Sequence, residues 1–133
     1  MKNQLLLTSL LLILLGACHN DVDSPSLLYK RWHLARTRHL QDATWYTYHS
    51  EVYYDVEYRP DGTLIHRRDG QVATLCCNAS RFSQKGSTID YDEFLYCPNA
   101  SCVSRPNAVI IVLSEDSLIL LANNRLEQYE PAN

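Results

Sequence analysis

Glycine is scarce in this chain of 133 residues, with four in all, while tyrosine occurs nine times. That balance excludes a disordered or low-complexity segment, which lacks the aromatic surface a core needs. Cationic excess is also missing: 12 Lys and Arg stand against 15 Asp and Glu, a net charge of −3. Nothing in that balance builds the basic stripe a nucleic-acid binder uses, so no nucleic-acid partner is expected. Beyond the N-terminus no apolar run is long enough to cross a bilayer, which takes about 20 residues; AVIIVL (108–113) is far too short. No G-x-S-x-G elbow is present to hold a nucleophilic serine. His33, His39, His49 and His66 are scattered without metal-ligand spacing, and Asp90, Asp92 and Glu93 read as a solvated strand face. These absences leave no catalytic residue, no metal site and no cofactor to expect, and a chain that is not an enzyme.

The first eighteen residues carry an address. Lys2 precedes a mostly apolar run over 5–15, too short to span a membrane but suited to a secretory signal. Leu15-Gly16-Ala17-Cys18 follows directly. It resembles a bacterial lipobox, in which cleavage before the cysteine leaves a thiol that carries lipid. The resemblance implies that residues 1–17 are removed as a lipoprotein signal peptide. Residues 18–26 then form a lipidated N-terminus and polar tether, and 27–133 form one compact domain. The partner implied is the lipid bilayer, reached through acylated Cys18, since stable anchoring takes more than one acyl chain. The location implied is the bacterial cell envelope, lipid-anchored and of the outer membrane.

Four cysteines remain, in CCNAS (76–80) and CPNASC (97–102). Structural zinc sites pair their cysteines as tight C-x2-C knuckles; here one pair is adjacent and the other is C-x4-C. An exported chain sits where disulfides persist, so Cys76, Cys77, Cys97 and Cys102 are expected to form two. Adjacent strand residues point to opposite faces, so Cys76 and Cys77 should have different partners. The pairing Cys76–Cys97 with Cys77–Cys102 is favoured, and a one-residue slip in register would swap it.

Turn signals recur at the spacing of a barrel or sandwich: Pro60-Asp61-Gly62, Asp69-Gly70, Lys85-Gly86, Glu115-Asp116 and Asn123-Asn124. EVYYDVEYR (51–59) alternates cleanly, with Val52, Tyr54, Val56 and Tyr58 on one face. STIDYDEFLY (87–96) begins the same way. NAVIIVL (107–113) and SLILLA (117–122) predict a hairpin with little solvent exposure. RLEQYEP (125–131) predicts a last strand, and YKRWHLARTRHL (29–40) a first one after a short helix that Ser24 and Pro25 would start. The fold expected is all-β: a small antiparallel up-and-down β-barrel, or a half-open barrel-like sheet, of about eight strands.

Three landmarks resemble the lipocalin-like domain of small lipoproteins from bacteria with two membranes. They are Leu28-Tyr29-Lys30-Arg31-Trp32-His33-Leu34, Tyr58-Arg59-Pro60-Asp61-Gly62-Thr63, and 112–120 together with Glu127-Gln128-Tyr129. Lys30 departs from the pattern, which has glycine there. The resemblance implies a β-barrel and a small apolar or amphipathic ligand. It implies no reaction.

Two classes of function follow: a carrier of such a ligand, and a solid-barrel module that binds an envelope protein. For the carrier, the candidate ligand-binding residues are Trp32, Arg36, Arg38, Tyr54, Tyr58 and Tyr91. Strict alternation would send Arg36 and Arg38 to the same face as Trp32 and Leu34. Buried guanidinium groups are costly unless paired, which leaves three dispositions. A bulge turns the arginines to water, carboxylates neutralise them inside, or they sit at the barrel mouth and receive a ligand's carboxylate or phosphate.

Overall fold

The structure, a computed structural model, describes residues 25–48, 53–103 and 105–133. Cys18, the signal, the tether with Ser24, His49 and the start of the expected strand at 51–52 lie outside the described residues.

A single turn of helix, α1 (Pro25–Leu28), leads into ten strands. They are β1 (Arg31–His39), β2 (Tyr46–Thr47), β3 (Tyr54–Tyr58), β4 (Leu64–Arg68) and β5 (Gln71–Val72), then β6 (Ala79–Lys85), β7 (Thr88–Phe94), β8 (Asn107–Leu113), β9 (Leu118–Ala122) and β10 (Arg125–Pro131). Since β2 and β5 have two residues each, eight strands of five or more build the sheet. All pair antiparallel in the order β5-β4-β3-β1-β10-β9-β8-β7-β6, with β2 beside β1. Apart from the β1–β10 pair, neighbours in the sheet are close neighbours in the chain. This is an up-and-down meander that curls into a half-open barrel.

The curl closes at one end. The β3–β4 turn meets β6, where Phe82 donates its backbone N–H to the Gly62 carbonyl at 2.9 Å and Thr63 forms an isolated bridge with Arg81. Gly62 has a φ of 81°, and a Cβ there would lie 3.0 Å from the Phe82 carbonyl oxygen. Only glycine meets both demands without strain. The same end holds α1, which brings fully buried Leu28 under the barrel, and Trp32, whose Nε1–H donates to the Leu28 carbonyl at 3.0 Å. Lys30, the departure from glycine, donates from Nζ to the Glu115 carbonyl at 2.8 Å and lies 4.9 Å from the Trp32 ring centroid. Its side chain fastens the β8–β9 turn over the tryptophan. Ile89, Leu118, Phe82 and Ile110 complete this core.

Two bulges set which residues face inward. In β1 the register against β10 runs Trp32↔Pro131, Leu34↔Tyr129, then shifts so that Arg36 pairs with Gln128 and Arg38 with Leu126. Ala35 is the extra residue. A bulge reverses the alternation beyond it, so Thr37 takes the inner face and Arg36 and Arg38 the outer. In β8 the shift falls at Ile111. Ala108, Ile110 and Leu113 point inward, whereas Val109, Ile111 and Val112 are exposed. The expectation of a β8–β9 hairpin with little solvent exposure is therefore corrected. The inner face of the curled sheet packs against the core, and no described element packs over this part of the outer face.

Candidate functional site

Away from the closed end, the strands part around a cavity of about 390 Å³. Its apolar lining includes Leu34, Val56, Leu64, Leu75, Phe94 and Val103. Interleaved with these across the strands are the polar residues Tyr58, Tyr91, Tyr129, His66, Arg105 and Glu127. The period of two explains most of these positions. Tyr54, Val56 and Tyr58 alternate along β3 with outward Asp55 and Glu57; Ile89 and Tyr91 alternate along β7; Glu127 and Tyr129 share the inner face of β10.

The polar residues form two hydrogen-bonded sets, Tyr58 with Tyr91 and Glu127 with Tyr129 and Arg105. The hydroxyls of Tyr58 and Tyr91 are 2.8 Å apart. The Tyr129 hydroxyl donates to Glu127 Oε2 at 2.9 Å. Arg105 closes the set with two parallel bonds, from Nη1 to Oε2 at 2.6 Å and from Nη2 to Oε1 at 2.9 Å. The Glu127 side chain is almost wholly buried, and an unpaired carboxylate there would be costly. Arg105 supplies the partner in the bidentate geometry that holds carboxylates best.

Burial acts on the three phenols, Arg105 and His66. It pushes the Tyr91 phenol up to about 12, and the Tyr58 and Tyr129 phenols well above the ordinary tyrosine range, where the Glu127 charge pushes the same way. Burial works to lower the Arg105 guanidinium, but its hydrogen bonds and charge contact with Glu127 outweigh this and raise it. Burial lowers His66, although its Nε2–H bond to the Ala79 carbonyl at 2.9 Å opposes that. At neutral pH the phenols are therefore uncharged and His66 is neutral, while geometry pairs Glu127 with Arg105 and sets Arg125 Nε 3.7 Å from it.

Arg105 comes from an irregular segment braced by both disulfides. Cys76 bonds Cys97, with Cα atoms 5.6 Å apart, and Cys77 bonds Cys102, at 5.1 Å. Cys77 sits at a φ of 69°, in the left-handed region, which lets adjacent cysteines reach different partners. Both bonds tie residues 75–78, which precede β6, to residues 95–102, which follow β7. Leu75, Cys77 and Asn78 line one side of the opening; Val103 and Arg105 line the other.

Of the residues proposed from sequence, Tyr54, Tyr58 and Tyr91 line this cavity. Trp32 belongs instead to the closed core. Arg36 and Arg38 lie on the outside of the sheet, so their placement at the cavity mouth is corrected: the bulge at Ala35 turned them away. Their guanidinium carbons lie 5.0 and 5.2 Å from the Trp45 ring centroid, and Arg36 Nε donates to Gln128 Oε1 at 2.7 Å.

Asp55 is buried on the outer face, between Arg31 and His33 at 3.0 Å each, with Tyr53 stacked on His33 at 3.8 Å. Among the described residues no group of three His, Cys, Asp or Glu side chains is placed to hold a metal ion.

Sequence reading missed Arg105, Glu127, Tyr129 and His66. Glu127 and Tyr129 carried a signal, the period of two in β10, but Leu126 between Arg125 and Glu127 invites the opposite assignment of faces. Leu126 is indeed buried, beside Arg38 and Leu121 on the outer side. Arg105 lies in a segment with no period to read.

No family profile and no curated protein matches the chain. A solved structure described as a lipocalin-like protein from Bacteroides uniformis is similar at 16% identity with a TM-score of 0.42, over 80% of this chain and 99% of that one.

Proposed function

We propose that this protein is an exported, lipid-anchored envelope protein whose half-open barrel carries a small amphipathic or apolar molecule. The observation that carries the reading is the cavity of about 390 Å³, lined by apolar side chains interspersed with tyrosine hydroxyls and a bidentate ion pair. Small-molecule sites have this make-up and fall in the same range of size, about 300–1,000 Å³. Two disulfides support an oxidising compartment, and Leu15-Gly16-Ala17-Cys18 supports the anchor.

The anchor reading has a geometric consequence. Six residues separate Cys18 from Pro25, which leads into the closed end. Fully extended, that stretch reaches about 25 Å. The nine residues of β1 rise about 30 Å towards the open end. On this reading the closed end, opposite the cavity mouth, is the end tied to the bilayer.

The test is mass spectrometry of the gently purified chain. A small molecule released on denaturation, and depleted in a Tyr91→Trp variant that fills the cavity, supports the carrier. A co-purifying protein with no small molecule favours the solid-barrel interaction module. The N-terminal mass of the same sample checks the anchor: a mature chain that starts elsewhere than Cys18, or carries no acyl chains, removes it.

A further inference from the structure

Resting on the carrier reading, we infer that the cavity selects an uncharged ligand bearing a hydroxyl or carbonyl group, and that the Arg105–Glu127 pair sets this selectivity. Among the residues that line the cavity the charges cancel, and Arg125, outside the lining, brings a second cation to Glu127, its Nε 3.7 Å from Oε1. Arg105 and Glu127 neutralise each other through two bonds of 2.6 and 2.9 Å. Asp55, the other acidic residue of the lining, turns its carboxylate to Arg31 and His33 on the outer face. A ligand carboxylate would find Arg105 already held by Glu127, and a ligand ammonium would find Glu127 already held by Arg105 and Arg125. Either must give up water to enter, and no free opposite charge in the lining replaces it.

What the wall offers instead is hydrogen bonding without charge. Two hydroxyls that share one bond, as Tyr58 and Tyr91 do, keep one O–H and spare lone pairs between them. An alcohol, ketone, ester or amide can accept that O–H while its apolar body lies along Leu34, Val56, Leu64 and Phe94. Arg36 and Arg38, the arginines that would have favoured an anionic ligand, face the outside of the barrel.

The experiment uses the full chain in lipid nanodiscs, with empty nanodiscs subtracted. Three probes share one medium-length chain and one fluorophore, and end in an alcohol, a carboxylate or an ammonium. Binding is read as energy transfer from the protein's tryptophans. The parent should prefer the alcohol to both charged probes by roughly tenfold, which is about 1.4 kcal/mol. Glu127→Gln leaves Arg105 uncompensated and should move the carboxylate-to-alcohol preference roughly tenfold towards the carboxylate. Arg105→Gln removes the two short bonds to Glu127 but leaves Arg125 beside it, and should move the ammonium-to-alcohol preference towards the ammonium by a smaller factor, roughly threefold. Thermal melts report whether each variant folds; should one fail, the parent series and the other variant decide. A carboxylate probe that binds the parent as well as the alcohol does, or preferences that neither variant moves, overturns the inference and leaves the carrier standing. Binding of none of the three overturns the carrier reading with it.

Discussion

The two ends of this barrel are built on opposite principles. At the closed end Leu28, Trp32, Ile89 and Leu118 are fully buried, and the polar atoms among them are few and paired, as in the bond from Trp32 Nε1 to Leu28. Stability there comes from apolar area removed from water. At the open end the inner faces carry tyrosines, a histidine and an ion pair. The disulfides hold together what a core would otherwise hold. A small barrel can afford one end of this kind because the other has already registered the strands. The lesson is a division of labour: packing at one end frees the other to keep a cavity.

The largest effect that would break this comparison is at Trp32. Trp32→Ala removes a wholly buried ring and should cost about 4 kcal/mol, read by urea unfolding. A loss below about 1 kcal/mol would mean that the closed end does not hold the fold.

Next come the disulfides. Replacing Cys77 and Cys102 together by serine should cost about 3 kcal/mol in the chain-entropy account and free residues 97–106. Faster proteolysis should be confined to that segment. Thiol counting on the denatured, unreduced chain should find no free thiol among Cys76, Cys77, Cys97 and Cys102.

Arg105→Ala should cost about 2 kcal/mol, because it strips the charged hydrogen bonds from buried Glu127. That change would sharpen the comparison, since the variant should keep a folded closed end. Tryptophan fluorescence of Trp32 should be unaltered while residues 97–106 gain hydrogen exchange.

A smaller effect is expected from alkali. The folded pKa values of Tyr58, Tyr91 and Tyr129 lie above the ordinary value of 10. Folding then keeps protons that the unfolded chain would release. The stability these phenols contribute is fully present below pH 10 and is lost as pH rises through about 12, the value for Tyr91. Tyr91→Phe should cost about 1 kcal/mol at neutral pH and flatten this alkaline fall, followed by ultraviolet titration of tyrosinate alongside circular dichroism.

The smallest effect belongs to the outside. Arg36→Ala with Arg38→Ala should cost about 1 kcal/mol in lost stacking on Trp45, and it should leave binding of an uncharged probe in the cavity unchanged. A loss of that binding would place the ligand on the outer face after all.

Alternation and turn chemistry are local, so they could be read directly. EVYYDVEYR placed Tyr54, Val56 and Tyr58 on one face because a strand repeats every two residues. Pro60-Asp61-Gly62 marked a hairpin because that turn needs a residue at positive φ. The division of Cys76 and Cys77 between two partners was expected from the same alternation, but it is a turn with Cys77 at a φ of 69° that makes it. Eight strands with short connections left little choice but an antiparallel meander. What local rules could not supply was the place where alternation breaks. The bulges at Ala35 and Ile111 add one residue each, and a bulge is decided by how a strand fits its neighbour across the barrel, not by its own residues. One such residue moved Arg36 and Arg38 from the inner face to the outer and let Val109, Ile111 and Val112 meet water. The meeting of Arg105 with Glu127 is likewise a tertiary decision: 22 residues separate them, and an irregular segment finds its carboxylate only once the disulfides and the curled sheet have brought them together.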